Sequence, residues 1–275
     1  MCMEVIDMIE YLGREHLIAT AVKNKGNWEK IFADLKARRS LPSYEISRFL
    51  KSVKSKATTI IDEDYPAEIR DACPRPPFVL FYYGDLSLAQ DKDRILTVVG
   101  SRKPEEYAIQ YTREICEGAA KNGYIVASGL ARGIDTVAAE ATSGMPGHSI
   151  AVLGCGLDVY YPPENRLLQT CIAGTGLLLS EYPEGVSPAA EHFPARNRIL
   201  ASISKGTFIG EAMPHSGTLI TAAFVLTVNH DLAVLPTLAQ SPTMNNSLIK
   251  TGAALVENVD DILSFMSCAP RGKNG

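Results

Sequence analysis

From residue 95 onward the chain alternates short, continuous apolar runs with amphipathic stretches of helical length, and few folds accept that rhythm. The runs are Ile95–Val99, Tyr124–Ala127, Ser149–Leu153, Gly176–Ser180, Thr207–Gly210, Leu232–Leu235 and Ala254–Val256. Between them lie Ala108–Asn122, Ile134–Thr142, Glu164–Ala173, Thr218–Asn229 and Asn246–Thr251. Strands that are apolar on both faces need a sheet covered on both sides, and helices inserted between successive strands make that sheet mostly parallel. The expected fold class is therefore α/β, doubly wound.

The first 56 residues read differently. Val5, Ile6, Ile9 and Leu12, then Ile46, Phe49, Leu50 and Val53, recur at spacings of three and four, the period of a helix face. Trp28, the single tryptophan, opens another helical stretch to Leu35, and Lys51–Lys56 reads as a basic helix end and linker. This predicts a small helical domain over residues 1–56 and an α/β domain over 57–267. Residues 57–94, with Pro66, Pro74, Pro76 and Pro77, form an extended lead-in containing one edge strand, Phe78–Tyr82.

Composition narrows the function. The net charge of −4 rules out coating of nucleic acid by bulk charge but leaves room for a local basic cleft. No apolar run reaches the roughly 18 residues of a membrane span. The N-terminus carries acids where a signal peptide carries Lys or Arg, so a cytoplasmic protein is expected. Six scattered cysteines without a C-x-x-C pair, and five histidines without H-x-x-x-H, indicate neither a disulfide framework nor a metal.

In an open parallel sheet, ligands bind beyond the carboxyl ends of the strands. Here those loops are Gly100-Ser-Arg-Lys-Pro104, Ser128-Gly-Leu-Ala-Arg-Gly-Ile-Asp135, Gly154-Cys-Gly-Leu-Asp158, Ser180-Glu181 with a long irregular connection ending Phe193-Pro-Ala-Arg-Asn-Arg198, and Glu211 before His215-Ser-Gly-Thr218. Singly, each is ordinary turn and capping chemistry. Arg196 and Arg198 read equally well as phosphate ligands or as partners of Glu181 or Glu211. Together, the loops gather backbone N–H groups and guanidinium groups on one rim, which suits more than one phosphate. No Walker loop, no complete dinucleotide fingerprint and no G-x-S-x-G elbow is present. No catalytic constellation stands out.

The motifs Gly100-Ser-Arg102, Ser128–Asp135, Ile150–Asp158 with Tyr161-Pro162, Leu179–Pro183, Phe193–Ile199 and Ser216–Thr221, in that order, resemble the DNA-processing protein A family (DprA, also called Smf). Asp64-Tyr-Pro66 and Pro77–Gly84 resemble it too, so the likeness spans roughly residues 57–262. The resemblance implies an extended Rossmann-like domain with no cofactor. It also implies a non-catalytic, typically dimeric protein that binds single-stranded DNA and helps load the RecA recombinase in natural transformation. Carried over by position, the DNA-facing residues are Gly100, Ser101, Arg102, Arg132, Arg196, Asn197, Arg198, Ser216 and Gly217, with Lys205 a further addition. Phe193 or Tyr161 would stack a base or sit in the core. Three positions depart from the family pattern: Ala139 stands where a histidine is usual, Thr237 where a glycine follows Leu-Pro, and Asn245-Asn-Ser where Gly-x-Asn precedes Leu-Ile. Many relatives add a winged-helix domain, whereas residues 268–275 read as a short tail. The rival reading is a nucleotide-binding sensor or enzyme resembling phosphoribohydrolases, with Glu211, or Glu181 and Arg196, as its working groups.

Overall fold

A computed structural model describes residue 9 and residues 12–268. Val5 and Ile6, two of the expected helix positions, lie outside the described residues. Toward the N-terminus the described residues include the helices α1 (Arg14–Lys23), α2 (Trp28–Lys36) and α3 (Ser43–Ser52). Asn27 caps α2 by accepting the Lys30 N–H at 3.0 Å. Trp28 stacks on Phe78 at 5.3 Å and donates its indole N–H to Pro76 O, so this helical region is packed onto the proline-rich lead-in to the sheet.

A short strand β1 (Lys56–Thr59), a helix α4 (Ala67–Ala72) and β2 (Val79–Gly84) make up the lead-in. Then come β3 (Ile95–Val99), α5 (Glu106–Lys121), β4 (Ile125–Ser128), α6 (Ile134–Ser143), β5 (Ser149–Leu153), α7 (Arg166–Thr175) and β6 (Leu177–Ser180). The chain continues through α8 (His192–Ile203), β7 (Gly206–Ile209), α9 (Gly217–Thr227), β8 (Asp231–Val234), α10 (Asn245–Lys250), β9 (Ala254–Leu255) and α11 (Val259–Ser267). Among the described residues, the nine strands form one sheet in the order β1-β2-β6-β5-β4-β3-β7-β8-β9. The pairs from β6 to β9 are parallel, while β1 on β2 and β2 on β6 are antiparallel.

The α/β doubly wound expectation stands, and the reason is visible along β3. Its five residues are all buried. Leu96 and Val98 join a cluster with Ile115, Phe208 and Ile262 on one face, whereas Ile95 and Val99 join Leu200, Ile203 and Val225 on the other. Two expectations are corrected. The lead-in strand is not an edge: β2 lies between β1 and β6, which satisfy both of its sides. The connection through residues 193–198 is not irregular but is the first half of α8, a helix whose polar residues Arg196, Asn197 and Arg198 are all buried. Buried charge breaks the apolar period that marks a helix in sequence.

The candidate nucleic-acid interface

Strand β3 is followed by β4 on one side, whereas the chain from β6 crosses back to lay β7 on the other side of β3. The strand order therefore reverses between β3 and β7, which opens a crevice at their carboxyl ends. A cleft of 760 Å³ occupies that position. It gathers Gly100, Ser101, Arg102 and Lys103 from the loop after β3, Ala131 from the loop after β4, Asp135 from the first turn of α6, Ser216 and Gly217 at the start of α9, and Phe193, Arg196 and Asn197 from α8.

The loop after β3 is held from several sides. Ser101 donates its N–H to Glu211 O at 2.8 Å, its carbonyl accepts from Ile134 N at 3.1 Å, and its hydroxyl accepts from Lys103 N at 3.2 Å. Glu211 also accepts the Glu105 N–H on its carboxylate at 3.1 Å. This leaves Arg102 and Lys103 exposed at the mouth, with no ion-pair partner among the described residues. The Arg102 guanidinium lies 5.5 Å from the Phe193 ring centroid, and Tyr161 packs on Phe193 at 5.4 Å. Both aromatics thus line the cleft while packed on each other and on Arg102.

Arg196 is 3% exposed at the floor. Its Nη1 donates to Gly129 O at 2.7 Å and to Val152 O, and its Nε donates to Asn197 Oδ1 at 3.1 Å. Nη2 has no hydrogen-bond partner among the described residues. It lies so close to Gly129 that a Cβ there would collide with it. Asp135 sits behind, accepting Gly129 N at 3.0 Å. Burial pushes its carboxyl up, and the Arg196 charge and the nearby backbone N–H groups pull it back. Burial likewise lowers the Arg196 guanidinium, with the Asp135 charge opposing. Asp135 thereby sets a buried carboxylate beside the buried Arg196 cation at the cleft floor. At the far wall, Gly217 opens α9 into clear space, and the Ser216 hydroxyl is buried without a partner among the described residues.

Three expected site residues stand elsewhere. Arg198 is 5% exposed and does not line the cleft; its Nη1 and Nη2 donate to the Glu181 oxygens at 2.6 and 2.7 Å, and its Nε donates to Arg75 O. Though burial disfavours its charge, Glu181 more than compensates and raises the guanidinium. Arg132 turns outward into an exposed pair with Glu164 at 2.5 Å. Lys205 precedes β7, so it lies at the amino ends of the strands, lining a separate 270 Å³ cavity with Lys92 and His230. Glu181 and Glu211, the carboxylates of the enzyme reading, are both engaged in these structural bonds. Sequence reasoning left Asp135 and Lys103 out of the site. The available signal for Asp135 was an acid directly after a Gly-rich loop, in the first turn of α6. Asn245 was also missed as a brace: it is fully buried, accepts Ala212 N at 2.8 Å, and donates to Gly210 O and Leu235 O, tying the ends of β7 and β8 together.

Residues 56–267 match the profile of the DNA recombination-mediator protein A family. The chain belongs to that family. Protein Smf of Synechocystis is 40% identical over 216 residues, and DNA processing protein DprA of Streptococcus pneumoniae is 38% identical over 216 residues. These matches take in 76% and 77% of this chain, and 53% and 74% of the respective relatives, so the chain spans about half the length of the Synechocystis protein. The X-ray structure of the S. pneumoniae DprA superposes with a TM-score of 0.77 at 30% identity, covering 96% of this chain and 98% of that one. A Helicobacter pylori DNA processing protein A, described for its single-stranded DNA binding mode, superposes at 0.70 and 30% identity over 78% of this chain and 96% of its own.

Proposed function

We propose that the switch-point cleft of this family member binds single-stranded DNA without chemistry and that the chain acts in DNA recombination. The observation that carries this is the pairing of two uncompensated cations at the mouth, Arg102 and Lys103, with the buried Arg196 at the floor. Phosphates meet the mouth cations and the open N-terminus of α9, and the concave rim admits a single strand but no duplex. The H. pylori relative's single-stranded DNA binding supports the same ligand here. By family resemblance we extend the proposal to loading of the RecA recombinase by a cytoplasmic homodimer. Loading is checked by whether the protein relieves the block that a single-strand coating protein places on RecA strand exchange.

Fluorescence anisotropy of labelled oligo-dT against the matching duplex, across salt, tests the binding itself. The expected result is strong single-strand preference, with Arg102→Ala weakening binding and lowering the log–log salt slope by about 0.7, one phosphate contact. Equal affinity for duplex and single strand, or binding flat in salt, overturns it.

A further inference from the structure

Beside the DNA cleft lie two more, each sharing lining residues with the next. A second, of 540 Å³, shares Pro194 and Ile220 with it. A third, of 650 Å³, shares Asn27 and His192 with the second and is lined by Lys23, Lys25 and Lys30 from the N-terminal helical region. The contact that brings these lysines to the rim is close. Gly26, at φ +72°, packs so tightly on the end of β6 that a Cβ would lie 2.5 Å from Glu181 O and 3.0 Å from Tyr182 Cα. The loop carrying Lys25 is therefore seated at the carboxyl end of β6, on the same edge of the sheet as the DNA cleft.

Charge separates the three clefts. Lys23 is taken up by Asp34 at 3.1 Å, but Lys25 and Lys30 are exposed and have no ion-pair partner among the described residues. The one carboxylate lining the third cleft, Glu184, accepts the Lys54 and Ser55 N–H groups at 3.0 and 2.6 Å. In the middle cleft Glu29 is paired with Arg75, and Glu181 with Arg198, leaving exposed Glu191 as the acid with no such partner among the described residues. The Tyr182 and His192 rings stack there at 4.1 Å.

Resting on the reading of the first cleft, we propose that the strand continues across the His192 ridge into the third cleft, where Lys25 and Lys30 take phosphates. The N-terminal helices are then a second phosphodiester-binding surface that lengthens the footprint. Two cation sites on one strand act by effective concentration, so the second site matters only for an oligonucleotide long enough to reach it.

The double variant Lys25→Gln, Lys30→Gln removes the charges and keeps side chains of similar backbone preference at the left-handed position of Lys25 (φ +53°). Full-length wild type and variant are titrated with oligo-dT of about 6 and about 20 nucleotides, bracketing a one-cleft and a multi-cleft footprint, with thermal melts as a folding control. The expected result is an unchanged short-oligonucleotide affinity. For the long one, affinity falls and the salt slope drops by about 1.4, two phosphate contacts on a single strand. A variant that matches wild type on both lengths overturns the proposal while leaving the first cleft's reading intact, as does equal loss on both lengths. Absence of single-strand binding by the wild type sinks both.

Discussion

Replacing Arg198 with alanine separates a structural cation from a DNA-binding one. The guanidinium is 5% exposed, and its removal leaves the Glu181 carboxylate, also 5% exposed, without its counter-charge. It also strips the Arg198 donors from Arg75 O and Ala195 O. Breaking a buried, hydrogen-bonded ion pair from one side costs about 3–5 kcal/mol. At roughly 2 °C per kcal/mol for a chain of this size, the melting temperature falls by about 6–10 °C. Calorimetry and urea titration of Arg198→Ala measure this directly, and anisotropy with oligo-dT at a temperature where the variant is still folded measures the other half. DNA affinity there, for an oligo-dT of about 6 nucleotides confined to the first cleft, should stay within a factor of about two of wild type, because no Arg198 atom lines that cleft. The double replacement Arg198→Met, Glu181→Leu removes both charges at once and should recover most of the lost stability. A wild-type melting temperature combined with lost DNA binding in Arg198→Ala refutes this reasoning and returns Arg198 to the phosphate site.

The same geometry sets two more outcomes. Gly133→Ala drives a Cβ into Ser101 O at a backbone φ of +78°. The loop bearing Arg102 must shift, so single-strand affinity should drop while the far-ultraviolet spectrum of the folded protein is retained, an outcome checked by anisotropy and circular dichroism. His230 is held neutral: burial lowers its pKa below the usual 6.5, with the bond between its Nδ1 and Ala201 O opposing. The unfolded chain therefore binds this proton first as pH falls. The contribution is fully present above pH 6.5 and is lost below it, at no more than about 1.4 kcal/mol per pH unit. His230→Asn should flatten the urea-midpoint profile between pH 7 and 5, and an unchanged slope would show that another group sets it.

Much of this was legible in the residues. The apolar runs of β3 to β8 and the helices between them have one covered-sheet solution, and the positions of Gly100, Ser101, Arg102, Ser216 and Gly217 come from lying just past strand ends. Arg196 and Arg198 show where legibility stops. They are two residues apart with the same side chain, yet one faces the cleft floor beside Asp135 and the other is turned into Glu181. Helical geometry sends such a pair to different sides of α8, and sequence spacing alone could not say which neighbours wait there. Arg132 lies outside the cleft for a similar reason, since its outward rotamer depends on Glu164, a partner distant in sequence, whereas the place of Lys205 just before β7 is a local feature of the chain.

Local chemistry, read from the chain alone, determined the covered parallel sheet, the rim of loops and the family, because period, glycine turns and ordered motifs are properties of neighbouring residues. Only the tertiary structure decided which cations remain unpaired at that rim, and that Gly26 seats the Lys25 loop on the end of β6. Charge compensation and close approach are settled between residues far apart in sequence, after the fold has brought them together.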